Sequence, residues 1–135
     1  LGTDGASSNN NLDMLEEVRL AAMLHKVKEL DPLAVDAAQA LRMGTEYGAK
    51  ALWLDNVGKI EVGAKADIVL YDMRRPEWCP RHNLVSLLVY SANSSSADTT
   101  LCNGRIIMEK GELKTMDEEK ILFEANKCAL DLVNR

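Results

Sequence analysis

Gly58-Lys59-Ile60-Glu61-Val62-Gly63-Ala64-Lys65-Ala66-Asp67-Ile68-Val69 divides the chain into two kinds of sequence. Before it, leucine, alanine and charged residues recur at helical spacing. After it, short apolar runs are separated by Gly, Pro and Asn turns. Gly58 and Gly63 make the stretch turn-rich, and Ile68-Val69-Leu70-Tyr71 reads as a buried strand. The segment is thus the passage from a helical region into a β region, and the expected class is α+β.

Upstream, Asn10 or Asn11 can cap a helix that runs to about Leu30, with Asp13 and Glu16 in its first turn, where the helix dipole favours them. Leu12, Leu15, Val18 and Ala22, together with Leu20, Met23, Leu24 and Val27, form a wide apolar stripe. Such a stripe implies burial on more than one side. Asp31-Pro32 reads as a restart, with Asp31 as cap and Pro32 in the first helical position. The second helix is expected over Leu33 to Met43, rich in alanine and ended by Gly44. Thr45 then caps a short helix through Leu52.

Downstream, Leu84 to Tyr90 is a short apolar run that periodicity leaves open as helix or strand. Thr99-Thr100-Leu101-Cys102, Asn103-Gly104 and Arg105-Ile106-Ile107-Met108 form the best hairpin, because Asn-Gly takes positive φ at both turn positions. Asp117 caps a last helix with a face of Ile121, Leu122, Ala125, Cys128, Ala129 and Leu132. Two or three strands are few for an independent sheet, so the strands are expected to need partners.

The 135 residues suit one ordinary domain. A hydrophobic share of 47% allows a core, and 27% charged residues favour solubility. A net charge of −5 argues against sequence-independent nucleic-acid binding, which needs a basic surface. The one basic cluster, Arg74, Arg75 and Arg81, is interrupted by Glu77. Cys79, Cys102 and Cys128 are far apart and odd in number, which fits free thiols in a reducing cytoplasm. No apolar run is long enough to span a membrane, and no signal peptide is evident. The abrupt start at Leu1-Gly2-Thr3-Asp4, without a methionine, suggests a piece of a longer protein.

Several motifs now fall into order. Gly2-Thr3-Asp4-Gly5 with Ser8-Asn9-Asn10 and Leu12-Asp13-Met14 resembles the segment that closes the barrel of S-adenosylhomocysteine and methylthioadenosine deaminases, amidohydrolases related to triazine chlorohydrolases and guanine deaminases. Ala40-Leu41-Arg42-Met43-Gly44-Thr45 with Gly48-Ala49-Lys50-Ala51-Leu52 is similar to the family's helix pair. The opening stretch resembles its turn into a second domain. Leu88-Val89-Tyr90-Ser91-Ala92 and Cys102-Asn103-Gly104-Arg105 complete the series. The resemblance runs from Leu1 to about Leu113.

The resemblance implies a C-terminal part of a (β/α)₈ metal-dependent hydrolase. Residues 1–54 would be the last strand and helices of the barrel, with Leu1–Asp4 ending strand eight. Residues 55–113 would be the C-terminal share of a composite β-sandwich, and 114–135 a C-terminal helix. In such barrels catalytic groups sit at the C-terminal ends of strands, which is where Asp4 would lie.

By the same resemblance, Asp4 binds a divalent metal, zinc or iron, and moves protons in hydrolytic deamination of an adenosine-type or related aminated heterocycle. Read alone, Asp4-Gly5 is a common turn. The resemblance also suggests that Ser8 lines the substrate pocket; a loop or capping role is the alternative. Asn9 and Asn10 are expected to satisfy backbone groups. His25 and His82 match no family ligand position and are expected at the surface or in packing. With one ligand where a catalytic zinc site uses about three, the chain alone is expected to bind no metal tightly and to be inactive. Exposed apolar faces point to homo-oligomerisation. A chlorohydrolase or other C–N hydrolase is an alternative, as is a non-catalytic interaction module. The module is disfavoured by an aromatic content of 4%, with Trp53 and Trp78 the only tryptophans.

Overall fold

The computed structural model describes residues 1–134. Five α-helices, Met14–Glu29 (α1), Ala37–Gly44 (α2), Glu46–Ala51 (α3), Leu84–Tyr90 (α4) and Glu118–Val133 (α5), accompany four strands. The strands are Ile68–Tyr71 (β1), Ala97–Cys102 (β2), Arg105–Glu109 (β3) and Glu112–Leu113 (β4). The α+β class stands.

α1 begins one turn later than the asparagines suggested. Asp13 is its cap, accepting from Leu15 N at 2.8 Å and Glu16 N at 3.2 Å. Asn11 is used from the side instead: its Nδ2 donates to the Glu16 carboxylate. Leu30, with φ 53°, ends the helix.

The restart at Asp31-Pro32 makes a single turn rather than a helix. Asp31 Oδ1 accepts from Leu33 N at 2.8 Å, but Val35 takes φ 46°, which a helix does not allow. Lys26 Nζ fastens this turn by donating to Ala34 O at 2.8 Å and Val35 O at 2.7 Å. The chain therefore needs a second cap, and Asp36 provides it by accepting from Gln39 N at 2.7 Å.

α1, α2 and α4 meet at a junction of small residues: Val18, Ala22, Ala37, Ala40 and Val89. Val35 and Leu41 pack against it. Alanines at the crossing let the helix backbones approach closely. Gly44 shows how closely, since a Cβ there would lie 2.7 Å from Val18 Cγ2. The run from Leu84 to Tyr90 is thus a helix, capped by Asn83 and joined to α1 by a side chain: Arg19 Nε donates to Val89 O at 3.1 Å, and its Nη2 donates to Ala92 O. Val89 O is among the carbonyls that a helix C-terminus leaves without partners, and Ala92 O lies just beyond the cap.

The sheet is antiparallel throughout, in the order β1-β2-β3-β4. Ile68 stands opposite Leu101, and Cys102 opposite Arg105 across the Asn103-Gly104 turn. Both turn residues have positive φ, 48° and 80°, as the hairpin requires. The opening stretch reaches across to this turn. Asp67 Oδ1 accepts from Asn103 N at 2.6 Å, and Ala66 O accepts from Gly104 N at 2.9 Å. Beside β1, Trp78 is buried with its ring 5.7 Å from that of Tyr71. Val69, Leu70 and Ile106 are exposed, so an apolar part of the sheet surface is uncovered.

Leu1–Asp4, expected as the end of a strand, forms none. A strand exists through its ladder, and among the described residues no strand lies beside this segment.

Candidate functional site

Residues 3–11 form a compact loop that leads into α1 and places Asp4 and Ser8 together. Ser8 N and Asn9 N both donate to Gly5 O, at 2.9 and 3.0 Å, folding the chain back on itself. Asn9 Nδ2 donates to Thr3 O at 2.9 Å, and Asn9 Oδ1 accepts from Asn11 N at 3.0 Å. Asn9 thus satisfies backbone groups, as expected of it.

Asp4 is exposed and has φ 61°. That left-handed conformation costs most residues about 1–2 kcal/mol, less for aspartate, whose short side chain bonds locally. Here Asp4 Oδ1 accepts from Gly5 N at 2.7 Å. This N–H, first, and the nearby Ser8 hydroxyl, second, hold the Asp4 carboxyl below its ordinary value of 3.8. The Ser8 proton is aimed at Gly5 O, 3.0 Å away, so the Gly5 amide is the stronger influence. The carboxylate is ionised near neutral pH and open to solvent.

The two histidines lie elsewhere. His25 Nδ1 sits 2.8 Å from Ala21 O on α1, and both His25 and His82 are exposed. Among the described residues no three His, Cys, Asp or Glu side chains group as metal ligands. A hollow of about 330 Å³ is lined by Glu46, Lys50, Asp55 and Asn56 among others and includes neither Asp4 nor Ser8. No helix among the described residues is long and apolar enough to cross a membrane.

The loop thus presents one ionised, exposed carboxylate ahead of a helix, with no group of three metal donors among the described residues. The chain belongs to the amidohydrolase family, whose model matches residues 1–107. It is 57% identical over its whole length to a 5-methylthioadenosine/S-adenosylhomocysteine deaminase of Pelotomaculum thermopropionicum, covering 31% of that protein. A deaminase of the same name from Dictyoglomus thermophilum is also 57% identical, with 32% of its length covered. An adenosine deaminase from Xanthomonas campestris, solved with bound zinc, superposes with TM-score 0.95 at 38% identity over 99% of this chain and 31% of that one. A zinc-complexed atrazine chlorohydrolase from Arthrobacter aurescens TC1 superposes with TM-score 0.82 at 28% identity over 93% of this chain and 28% of that one. The chain spans about a third of the length of these relatives.

Proposed function

We propose that this chain is the part of a metal-dependent deaminase that supplies Asp4 to the catalytic centre. Its reaction would be hydrolytic deamination of an adenosine-type compound, 5-methylthioadenosine or S-adenosylhomocysteine. The carrying observation is the exposed, ionised Asp4 carboxylate, held by Gly5 N–H in a loop shared with Ser8. In this reading residues 1–54 close a (β/α)₈ barrel, 55–113 complete a composite sandwich and 114–135 form a C-terminal helix. Three exposed free thiols, Cys79, Cys102 and Cys128, suit a cytoplasmic setting.

A divalent ion, zinc or iron, fits the donor type available here: a hard, ionised carboxylate oxygen. Asp4 would be one ligand, and the others would come from outside the described residues, since no group of three donors stands among them. When bound, the ion supplies the Lewis acidity that makes water nucleophilic near neutral pH. Asp4 accepts the proton of the attacking water and delivers it to the departing amine. Ser8, whose hydroxyl donates to Gly5 O, would line the pocket for the heterocycle.

The test is a chimera in which this chain replaces the matching third of the Pelotomaculum thermopropionicum relative. Ammonia release from either substrate is expected, and Asp4→Asn should lower kcat by roughly 10²–10⁴-fold. Full activity in Asp4→Asn would overturn the assignment. The 135-residue chain alone, supplied with zinc or iron, should give no turnover. The similarity to the atrazine chlorohydrolase supports a second reading. Chloride release from a chlorinated triazine, without ammonia from the nucleosides, would select it.

A further inference from the structure

Resting on that reading of Asp4, we propose that Asn9 is a positioning residue that sets the direction of the Asp4 carboxylate by holding one backbone carbonyl on either side of it. Thr3 O belongs to the peptide before Asp4, and Asn9 Nδ2 holds it at 2.9 Å. Gly5 O belongs to the peptide after Gly5, and Asn9 N holds it at 3.0 Å with Ser8 N at 2.9 Å. One residue therefore grips the chain on both sides of Asp4, by side chain and by backbone.

Its other amide atom is also occupied. Asn9 Oδ1 accepts from Asn11 N at 3.0 Å, which fixes which way the amide faces. Asn9 is partly buried while Asp4 is exposed, so the gripping group is sheltered and the gripped one is not. The φ of 61° at Asp4 gives the grip something to do. An aspartate released from its neighbours would leave this conformation and take the more populated right-handed or extended regions. Its side chain would then swing away from Gly5 N, the donor that holds Oδ1 at 2.7 Å.

The experiment reads the metal site directly. In the chimera, cobalt(II) replaces the native metal, and visible spectra are compared for wild type, Asn9→Ala, Asn9→Asp and Asp4→Asn. Asn9→Asp preserves shape and the Oδ1 acceptor but loses the donor to Thr3 O. Both Asn9 variants should shift the cobalt bands, weaken metal binding by roughly 10–100-fold and lower kcat more than they change KM, with the melting midpoint near wild type.

A wild-type cobalt spectrum in Asn9→Ala would overturn the inference. So would metal binding lost only in proportion to lost folding. Asp4→Asn with an unaltered cobalt spectrum would overturn the reading of Asp4 as a ligand, and the inference with it. A chimera that binds cobalt through Asp4 yet releases no ammonia would refute the deaminase reading alone.

Discussion

Helices α1 and α5 are each 16 residues long, and each starts from an aspartate whose carboxylate accepts a backbone N–H. Each carries two glutamates in its first turn, Glu16 and Glu17 in one, Glu118 and Glu119 in the other. Yet α1 buries Val18, Ala21 and Ala22, while α5 buries nothing. The apolar face of α5 includes Ile121, Leu122 and Leu132, all exposed. Caps and dipole-matched charges decide that a helix forms and where it begins. Small residues at a crossing, and a side chain such as Arg19 that grips another element, decide what it packs against. α5 has the first set of instructions, and none of its residues is buried against the described residues.

Five substitutions, one of them read in acid, sharpen or break this contrast. The largest effect is expected at Gly44, where a Cβ would meet Val18 Cγ2 at 2.7 Å. Gly44→Val should destabilise the helical junction by about 3 kcal/mol, read from urea unfolding. Arg19→Ala leaves the Val89 and Ala92 carbonyls without their donors and should cost about 2 kcal/mol in the same measurement.

Asp13→Ala should cost about 1 kcal/mol, the usual loss of a helix cap, and should shift the whole transition because α1 is part of the core. Asp117→Ala removes the equivalent cap from α5 and should lower helicity by circular dichroism without moving the main transition. A shift as large as that of Asp13→Ala would break the comparison by revealing that α5 is coupled to the core.

The smallest effect is in acid. Partial burial raises the pKa of Asp13, but the Ser94 hydroxyl, the Glu16 and Leu15 amides and the Arg19 charge together bring it below 3.8. A carboxylate lowered by folding stabilises the fold above its unfolded pKa, and the stabilisation fades as pH falls through the folded value. The α1 N-terminus should therefore loosen below about pH 3.8. Asp72, held down to about 2 first by its hydrogen bonds from Arg74, keeps its charge over most of that interval. Amide exchange at Leu15 and Glu16 should rise there, and Asp13→Asn should flatten the response.

Much of the fold was legible where local chemistry is sufficient. The Asn103-Gly104 hairpin and the Asp117 cap formed as expected because backbone preferences alone specify them. The start of α2 was misread because Asp31-Pro32 and Asp36 are both good caps. The choice between them lies with Lys26, whose contacts with Ala34 O and Val35 O are tertiary. Periodicity left Leu84 to Tyr90 undecided, and the grip of Arg19, 70 residues away from Val89, leaves no trace in the run itself. At the candidate site, motif order singled out Asp4 and Ser8. The value of Asn9 became visible only with the loop closed, since nothing in Ser8-Asn9-Asn10 says which amide faces Thr3.

The bond from Asp67 to Asn103 spans 36 residues, and β1 has its ladder partner only at the far end of that span. A ribosome adding 5–20 residues per second takes roughly 2–7 s to make the difference. For that time Ile68-Val69-Leu70-Tyr71 is a nascent apolar strand without its β2 neighbour, whereas the α1 and α2 junction residues are already synthesised. Translation speed through the codons between them sets how long this segment is open to chaperones or to its own copies on a polysome.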